Sequence, residues 1–170
     1  MTYFAAALAK TADGWTGREL DLHEFDDLES LAEELRDLIE DDAAGPALLL
    51  VEEDDEYVGL VRVDAGDLDE PRVFLSDRRA VLTGDAAALI WEDVDAVVED
   101  EDDVDDEEDD EGTRPVAEPV GDTALLTDLG TPSDVLLELC AEEGLLPADV
   151  LTGVAERAGF LEVLDSLREG

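Results

Sequence analysis

The side chains that most often act in catalysis are rare in this chain, which has one cysteine, Cys140, and one histidine, His23. A cysteine or serine nucleophile needs a neighbouring base, and that base is most often a histidine held by a third group. No histidine or basic residue lies near Cys140 in the sequence, and nothing else points to a triad around His23. We therefore predict that Cys140 is a small buried core residue and that His23 lies on the surface or in a loop.

Metal binding has little support in the pattern of possible ligands. Zinc sites are built largely from cysteine and histidine, and the chain has two such residues in total, too few without several carboxylates. The H-x-E and P-C-x-x-C signature of zinc deaminases is absent. One segment matches the ligand spacing of a calcium-binding loop, at Glu107, Asp109, Glu111, Gly112 and Glu118. Arg114 and Pro115 interrupt it and no helix flanks it, so we predict weak, nonspecific divalent binding and no metal site.

The basic cluster of the chain consists of four arginines, Arg62, Arg72, Arg78 and Arg79. A guanidinium binds a carboxylate or phosphate of a partner, but acids are so abundant here that we predict pairing within the chain. Trp15 and Trp91 are predicted to be core aromatics. The chain lacks a P-loop, a dinucleotide-binding glycine motif and a G-x-S-x-G motif. We therefore predict no catalytic, cofactor-binding or metal-binding residue, and we expect that the protein is not an enzyme.

The charge of the chain restricts its partners. It has 51 acidic and 10 basic residues, a net charge of −41, and 16 of the acids lie with one base in residues 92–119. Such a surface repels phosphate backbones and anionic membranes, because nucleic-acid affinity comes largely from Lys and Arg that displace counterions. No apolar run approaches the ~20 residues of a membrane span. One cysteine permits no internal disulfide, and the N-terminal apolar run lacks the basic flank of a signal peptide. We predict a cytoplasmic protein that binds neither nucleic acid nor membranes directly.

The first part of the chain, residues 1–91, has the pattern of an α+β domain on a mainly antiparallel sheet. Asp13-Gly14 favours a tight hairpin turn between the first two strands. Leucines at helical spacing predict a helix after them, and Asp26 with Glu29 resembles a capping box. A further, interrupted helix precedes the acidic segment. The predicted strands are residues 3–11, 15–22, 47–53, 57–64 and 72–76, of which 47–53 is predicted to be buried on both faces.

Two further parts follow. Residues 92–119 have no periodicity, and high charge with low hydrophobicity cannot offset the entropy cost of folding, so we predict a disordered acidic linker that acts as a spacer. Residues 120–170 are predicted to form a small all-helical unit. It contains a helix repeat at an offset of 15 residues, PSDVLLELCAEEG from Pro132 and PADVLTGVAERAG from Pro147. Whether this unit docks on the first domain is left open.

Details of the repeat suggest roles for single residues. Proline suits the first turn of a helix and glycine its end. Thr131 is the predicted N-cap of the first copy. In the second copy, Thr152 and Gly153 replace Leu137 and Glu138. Since glycine has no side chain, Gly153 is predicted to leave a flat spot that another element can approach.

The order and composition of the segments resemble those of a known protein family. YFAAALAKTADGWTGRELDL, ALLLVEEDDEYVGLVRVD, RVFLSD, a long acidic spacer and LLTDLGTPSDVLLELCAEEGLLPADVL together are similar to the actinobacterial tRNA adenosine deaminase-associated proteins. The resemblance covers nearly the whole chain outside the spacer. It implies association with a tRNA adenosine deaminase, and it implies no catalytic or binding residue.

Two functions from different classes follow from these observations. The first is a noncatalytic accessory or regulatory protein that acts on a tRNA adenosine deaminase by protein–protein interaction. The alternative is an independent acidic interaction protein, a nucleic-acid mimic that binds basic proteins generally. A mimic should bind many basic proteins with an affinity that falls steeply with salt, whereas a dedicated partner should also bury apolar surface and keep its affinity at high salt.

Overall fold

The centre of the molecule is a six-stranded antiparallel sheet of strand order β2-β1-β3-β4-β5-β6. The computed structural model describes residues 3–11, 14–38, 45–53, 57–64, 71–77, 85–91, 119–141 and 146–169. Helices cover both faces of the sheet. The strands are β1 (Tyr3–Thr11), β2 (Gly14–Glu19), β3 (Ala47–Glu53), β4 (Tyr57–Val63), β5 (Arg72–Leu75) and β6 (Val120–Gly121). The predicted fold class, an N-terminal antiparallel sheet with helices and helices at the C-terminus, is confirmed.

The first face of the sheet packs against two helices, α1 (Leu28–Leu38) and α2 (Asp85–Ile90). Side chains alternate between the faces of a strand, and odd-numbered residues such as Ala7, Leu49 and Val61 point to this side. On α1, Leu31 and Leu35 are fully buried against them. Their spacing of four residues places both leucines on one face of the helix, as the sequence pattern predicts.

The cap of α1 lies one residue later than predicted. The Asp27 carboxylate accepts a hydrogen bond from the backbone N–H of Ser30 at 2.9 Å, and also from the Ser30 hydroxyl at 2.7 Å. Asp27 is therefore the N-cap, in place of Asp26 paired with Glu29. The backbone hydrogen bond from Ser30 lowers the pKa of the Asp27 carboxyl, because it stabilises the charged form.

The second face of the sheet packs against the C-terminal helices α3 (Ser133–Ala141), α4 (Pro147–Ala158) and α5 (Leu161–Glu169), which follow a short 3₁₀ helix, Thr127–Leu129. The even-numbered residues Leu8, Leu48, Leu50, Leu60 and Phe74 form one core with side chains of these helices. The sequence left open whether the C-terminal helices dock, and the structure shows that they cover a face of the sheet. Strand β3 is buried on both sides, as its continuous apolar run predicts.

Both ends of α4 follow the prediction, whereas the predicted N-cap of α3 does not, and Gly144 lies outside the described residues. Pro147 lies at the first position of α4, the Asp149 carboxylate accepts from the N–H of Leu146 at 3.1 Å, and Gly159 ends the helix at φ +97°. Thr131 does not cap α3. Its buried Oγ1 has no hydrogen-bond partner in the part of the chain that the structure describes.

Strand β6 has no signal in the sequence, because it contains two residues and follows directly on the acidic segment. It pairs with β5, Leu75 opposite Val120 and Phe74 opposite Gly121. The predicted acidic linker lies outside the described residues except for Pro119. The division of the chain into residues 1–91, 92–119 and 120–170 therefore stays a prediction.

Trp91, directly before the acidic segment, and Gly121, two residues after its end, are neighbours in space. A Cβ added to Gly121 would lie 3.0 Å from Cζ3 of Trp91, and both Trp91 and Val120 pack against the first core. A spacer is useful where two points are far apart, and these points are in contact. The length of the acidic segment is thus not required to connect β6 to α2.

We expect that replacing residues 94–117 by a Gly/Ser link of about four residues raises the free energy of unfolding by about 1 kcal/mol, because a shorter loop costs less entropy to close. Urea unfolding followed by circular dichroism checks this result. The matched control keeps the full length and replaces only the acids in the same range by Ser and Gly. A loss of stability in the shortened chain would mean that the segment packs on the fold, contrary to the predicted disorder.

Candidate interaction surfaces

The Arg62 guanidinium lies between the sheet and the C-terminal part of the chain. Its side chain is only 7% exposed. Nε and Nη2 donate to the Asp64 carboxylate at 3.0 and 2.9 Å. Nη1 and Nη2 donate to the two carboxylate oxygens of Asp128 at 2.6 and 2.9 Å, and Nη1 also donates to the Leu125 carbonyl at 2.5 Å. This arginine holds the fold together and is not free to bind a partner.

Arg72 lies on the neighbouring strand β5 and makes a similar pair. Its Nε donates to the Asp122 carboxylate at 2.5 Å, and that carboxylate also accepts from the N–H of Ala124 at 2.9 Å. The hydrogen bond from Arg72 is the main cause that lowers the pKa of the Asp122 carboxyl. The prediction that the arginines pair within the chain is confirmed for Arg62 and Arg72, whereas Arg78 and Arg79 lie outside the described residues.

The residues considered for catalysis are not brought together. His23 lies in a 3₁₀ helix, Leu22–Glu24, with its side chain 68% exposed, as predicted. Cys140 lies on α3 and is half-buried against the second core, so the prediction of a small buried core residue is corrected to partial burial. That burial raises the pKa of the thiol to about 12. The thiol is therefore protonated at neutral pH, and a protonated thiol is a poor nucleophile.

The two tryptophans lie against the two different cores. Trp15 packs edge to face on Phe160 at 4.9 Å between ring centroids, and its Nε1 donates to the Ala158 carbonyl at 3.2 Å. Trp91 packs against the first core. Both side chains are half-buried, so both are core aromatics at the margin of the sheet.

Within the described ranges, no group of three or more His, Cys, Asp or Glu side chains is placed to hold a metal ion. The calcium-like pattern from Glu107 to Glu118 lies outside these ranges. None of the helices described here is long and apolar enough to cross a bilayer.

Exposed apolar side chains are concentrated in the pair of helices α3 and α4. Leu137 is 37% exposed and Leu146, at the start of α4, is 47% exposed, and these are the exposed large hydrophobic residues of the described part of the chain. On α3, only Leu136 is fully buried. We define the hairpin surface as the exposed residues Asp134, Leu137, Glu138, Leu146 and Asp149. It combines two exposed apolar side chains with three exposed acids.

Gly153 does not contribute to that surface. A Cβ added at Gly153 would lie 3.5 and 3.6 Å from the two methyl groups of Leu139. The predicted flat spot is real, and the element that approaches it is the first copy of the repeat. Gly153 therefore serves packing between α3 and α4.

The molecule so far described is an acidic α+β protein with its helices on both faces of one antiparallel sheet. A model of the family described as Rv3753c-like tRNA adenosine deaminase-associated protein matches residues 3–161. The chain therefore belongs to this family, and the resemblance drawn from the sequence is confirmed. It is similar to "Protein Rv3753c" of Mycobacterium tuberculosis, with 29% identity over 164 residues, which cover 96% of this chain and 86% of the relative. No solved structure matches the chain.

Proposed function

We propose that the protein is a noncatalytic accessory protein that binds a tRNA adenosine deaminase and regulates it by protein–protein contact. The observation that carries this proposal is the family match over residues 3–161, because the family is described as deaminase-associated and not as a deaminase. A cytoplasmic location is part of the proposal, since tRNA modification takes place there. No enzymatic activity of the chain itself is expected.

The charge of the chain supports a partner that handles tRNA. An enzyme that binds tRNA presents Lys and Arg to the phosphates. A protein of net charge −41 is complementary to such a surface. The basic side chains Arg62 and Arg72 are used inside this fold, so they do not oppose that attraction.

Charge and apolar contact are expected to act at different stages of binding. Surface charges act over about 8 Å at physiological salt, so they speed encounter more than they set final affinity. Lasting contact needs apolar burial, and we assign it to the hairpin surface, where Leu137 and Leu146 are exposed. The proposed docking element is therefore the pair of repeat helices, α3 and α4.

Binding kinetics of the purified chain with the deaminase of the same organism test this division. Replacing residues 97–111 by a Gly/Ser linker of equal length is expected to slow association about tenfold and to flatten its dependence on salt. The double variant Leu137→Ser and Leu146→Ser is expected to speed dissociation about tenfold, since two apolar contacts are lost.

The matched control for the hairpin variant is Glu156→Ser, an exposed residue of α4 outside the hairpin surface. It should leave dissociation unchanged. If the linker replacement abolishes binding at every salt concentration while the hairpin variant dissociates like the wild type, the acidic run is itself the docking element and the division is wrong.

The alternative function is a general nucleic-acid mimic, which the extreme charge favours. It is tested by a pull-down from native lysate at low and high salt. A mimic would capture many basic proteins at low salt and release them at high salt. Retention of the deaminase alone at high salt supports the dedicated partner.

A further inference from the structure

The two edges of the sheet differ in how they end. One edge is β6, which has two residues, and the other is β2, which has six. Natural sheets protect their edges with short strands, proline, bulges or inward-pointing charges, because an open edge invites another strand. The β6 edge is protected by its shortness. Strand β2 contains no proline, pairs one-to-one with β1 over its whole length, and has no second neighbour among the described strands.

The hydrogen bonding of β2 shows which of its backbone groups point away from β1. The N–H of Leu20 donates to the Ala5 carbonyl at 2.9 Å, and the register places Ala7 opposite Arg18. Bonded pairs alternate along an antiparallel ladder, so Arg18 and Thr16 also face β1. The N–H and C=O groups of the residues between them therefore point away from the sheet, at Trp15, Gly17 and Glu19. These are the donors and acceptors that an added strand would use.

The side chains of β2 leave this edge accessible. Gly17 has no side chain. A Cβ there would lie 2.6 Å from Cδ2 of Leu8 and 3.1 Å from Cγ1 of Val163, so packing requires glycine at this position. The Arg18 side chain turns to Glu34 of α1, with which it forms an ion pair. The Trp15 ring packs on Phe160. The side chains of Arg18 and Trp15 thus lie on the faces of the sheet and not across its edge.

We propose that the β2 edge accepts an extended, positively charged segment of the partner as a seventh strand. The proposal rests on the proposed function for the identity of the partner, a tRNA adenosine deaminase. Backbone hydrogen bonds supply affinity in this mode of recognition, and charge selects the segment. A second copy of the chain is a poor occupant, because two bodies of net charge −41 repel each other. Helix α5, which packs on β2 through Val163, carries the exposed acids Glu162 and Asp165.

Residue-resolved amide exchange measured by NMR tests the edge directly. In the free chain, the amides of Trp15, Gly17 and Glu19 are expected to exchange faster than those of Thr16 and Arg18, which are bonded to β1. When the deaminase is added, the three outer amides should exchange at least about tenfold more slowly, while the inner ones change little. Binding that leaves the outer amides as fast as before would overturn the proposal.

A pair of variants at Glu19 gives a second readout. Glu19→Pro removes an outward N–H and keeps every bond to β1, since proline is tolerated at an edge where the N–H faces solvent. Its affinity for the deaminase should fall about fivefold, which corresponds to the loss of one hydrogen bond. Glu19→Ala loses only the side chain and should bind like the wild type. Equal affinity of the proline and alanine variants, with both folded by circular dichroism, contradicts strand addition.

The outcomes separate this proposal from the proposed function. If the wild-type chain does not bind the deaminase, the proposed function fails. If it binds and the outer amides of β2 stay unprotected, the function stands and the edge is not the site. If sedimentation shows a dimer of the free chain and the outer amides are already protected in it, the occupant is a second copy and the proposal is wrong.

Discussion

A chain that ends after Trp91 should fail to form a stable fold, although it contains five of the six strands. Truncation uncovers the second face of the sheet, where six large side chains are at most 1% exposed. They are Leu8, Leu48, Leu50, Val58, Leu60 and Phe74. Each fully buried side chain of this kind contributes about 1.5–3 kcal/mol, or about 9–18 kcal/mol for the six. That loss is comparable to the whole stability of a domain, about 5–15 kcal/mol.

The NMR spectrum and the urea unfolding curve of residues 1–91 check this result. We expect poor dispersion and no cooperative transition. Co-expression with residues 119–170 is the control, and it should restore a dispersed spectrum because the second core can then form in trans. Cooperative unfolding of residues 1–91 alone would show that the first part of the chain is an independent domain.

The substitution Arg62→Met should lower the free energy of unfolding by about 3 kcal/mol, because removing one member of a buried ion pair leaves its partners without compensation. The Leu125 carbonyl and the carboxylates of Asp64 and Asp128 all lose a donor. This loss of stability is at the low end of the range for broken buried ion pairs, because the Asp128 side chain is 62% exposed and water partly replaces the arginine. Arg72→Met is the matched control and should cost less, because the Arg72 side chain is 38% exposed. Equal losses in the two variants would contradict the structural role assigned to Arg62.

The pH dependence of this substitution follows from the carboxyl of Asp128. The hydrogen bond from Arg62 is the main cause that lowers its pKa below the ordinary value of 3.8. Because the pKa is lower in the folded state, the pair stabilises the fold at pH values above the pKa of the unfolded state. This stabilisation is lost as the pH falls through the pKa of the folded state. The difference in stability between wild type and Arg62→Met should therefore be constant near neutral pH and narrow below about pH 4. Carboxyl titration by NMR should show the pKa of Asp128 higher in the variant, and an unchanged pKa would exclude the pair as its cause.

Much of the fold follows from local sequence patterns. Strands β1 and β3 have the predicted bounds, Tyr3–Thr11 and Ala47–Glu53, because apolar runs between turn residues define strands well. The burial of β3 on both faces was predicted from its continuous apolar run, and the structure shows that helices cover both of those faces. The assignment of α3–α5 to the second face depends on tertiary contacts, and β6 exists only because its two residues meet β5. Neither feature has a local signal.

The candidate surfaces were less accessible to sequence reasoning, for physical reasons. The pairing of Arg62 with Asp128 joins residues 66 positions apart, and it depends on how the C-terminal segment crosses the sheet. Helix α3 has apolar residues on most of its faces, so its periodicity does not show that Leu137 is exposed and Leu136 buried. The open edge at β2 is a property of strand order, which no single strand reveals.

The central claim is that the chain binds a tRNA adenosine deaminase through folded surfaces as well as through charge. The most direct measurement is the affinity of the full-length chain for the purified deaminase at about 50 mM and about 500 mM salt, where the screening lengths differ roughly threefold. We predict saturable binding at both concentrations, weaker at the higher one. Absence of binding at low salt, or binding that vanishes at high salt and is shared by unrelated basic proteins, would contradict the claim.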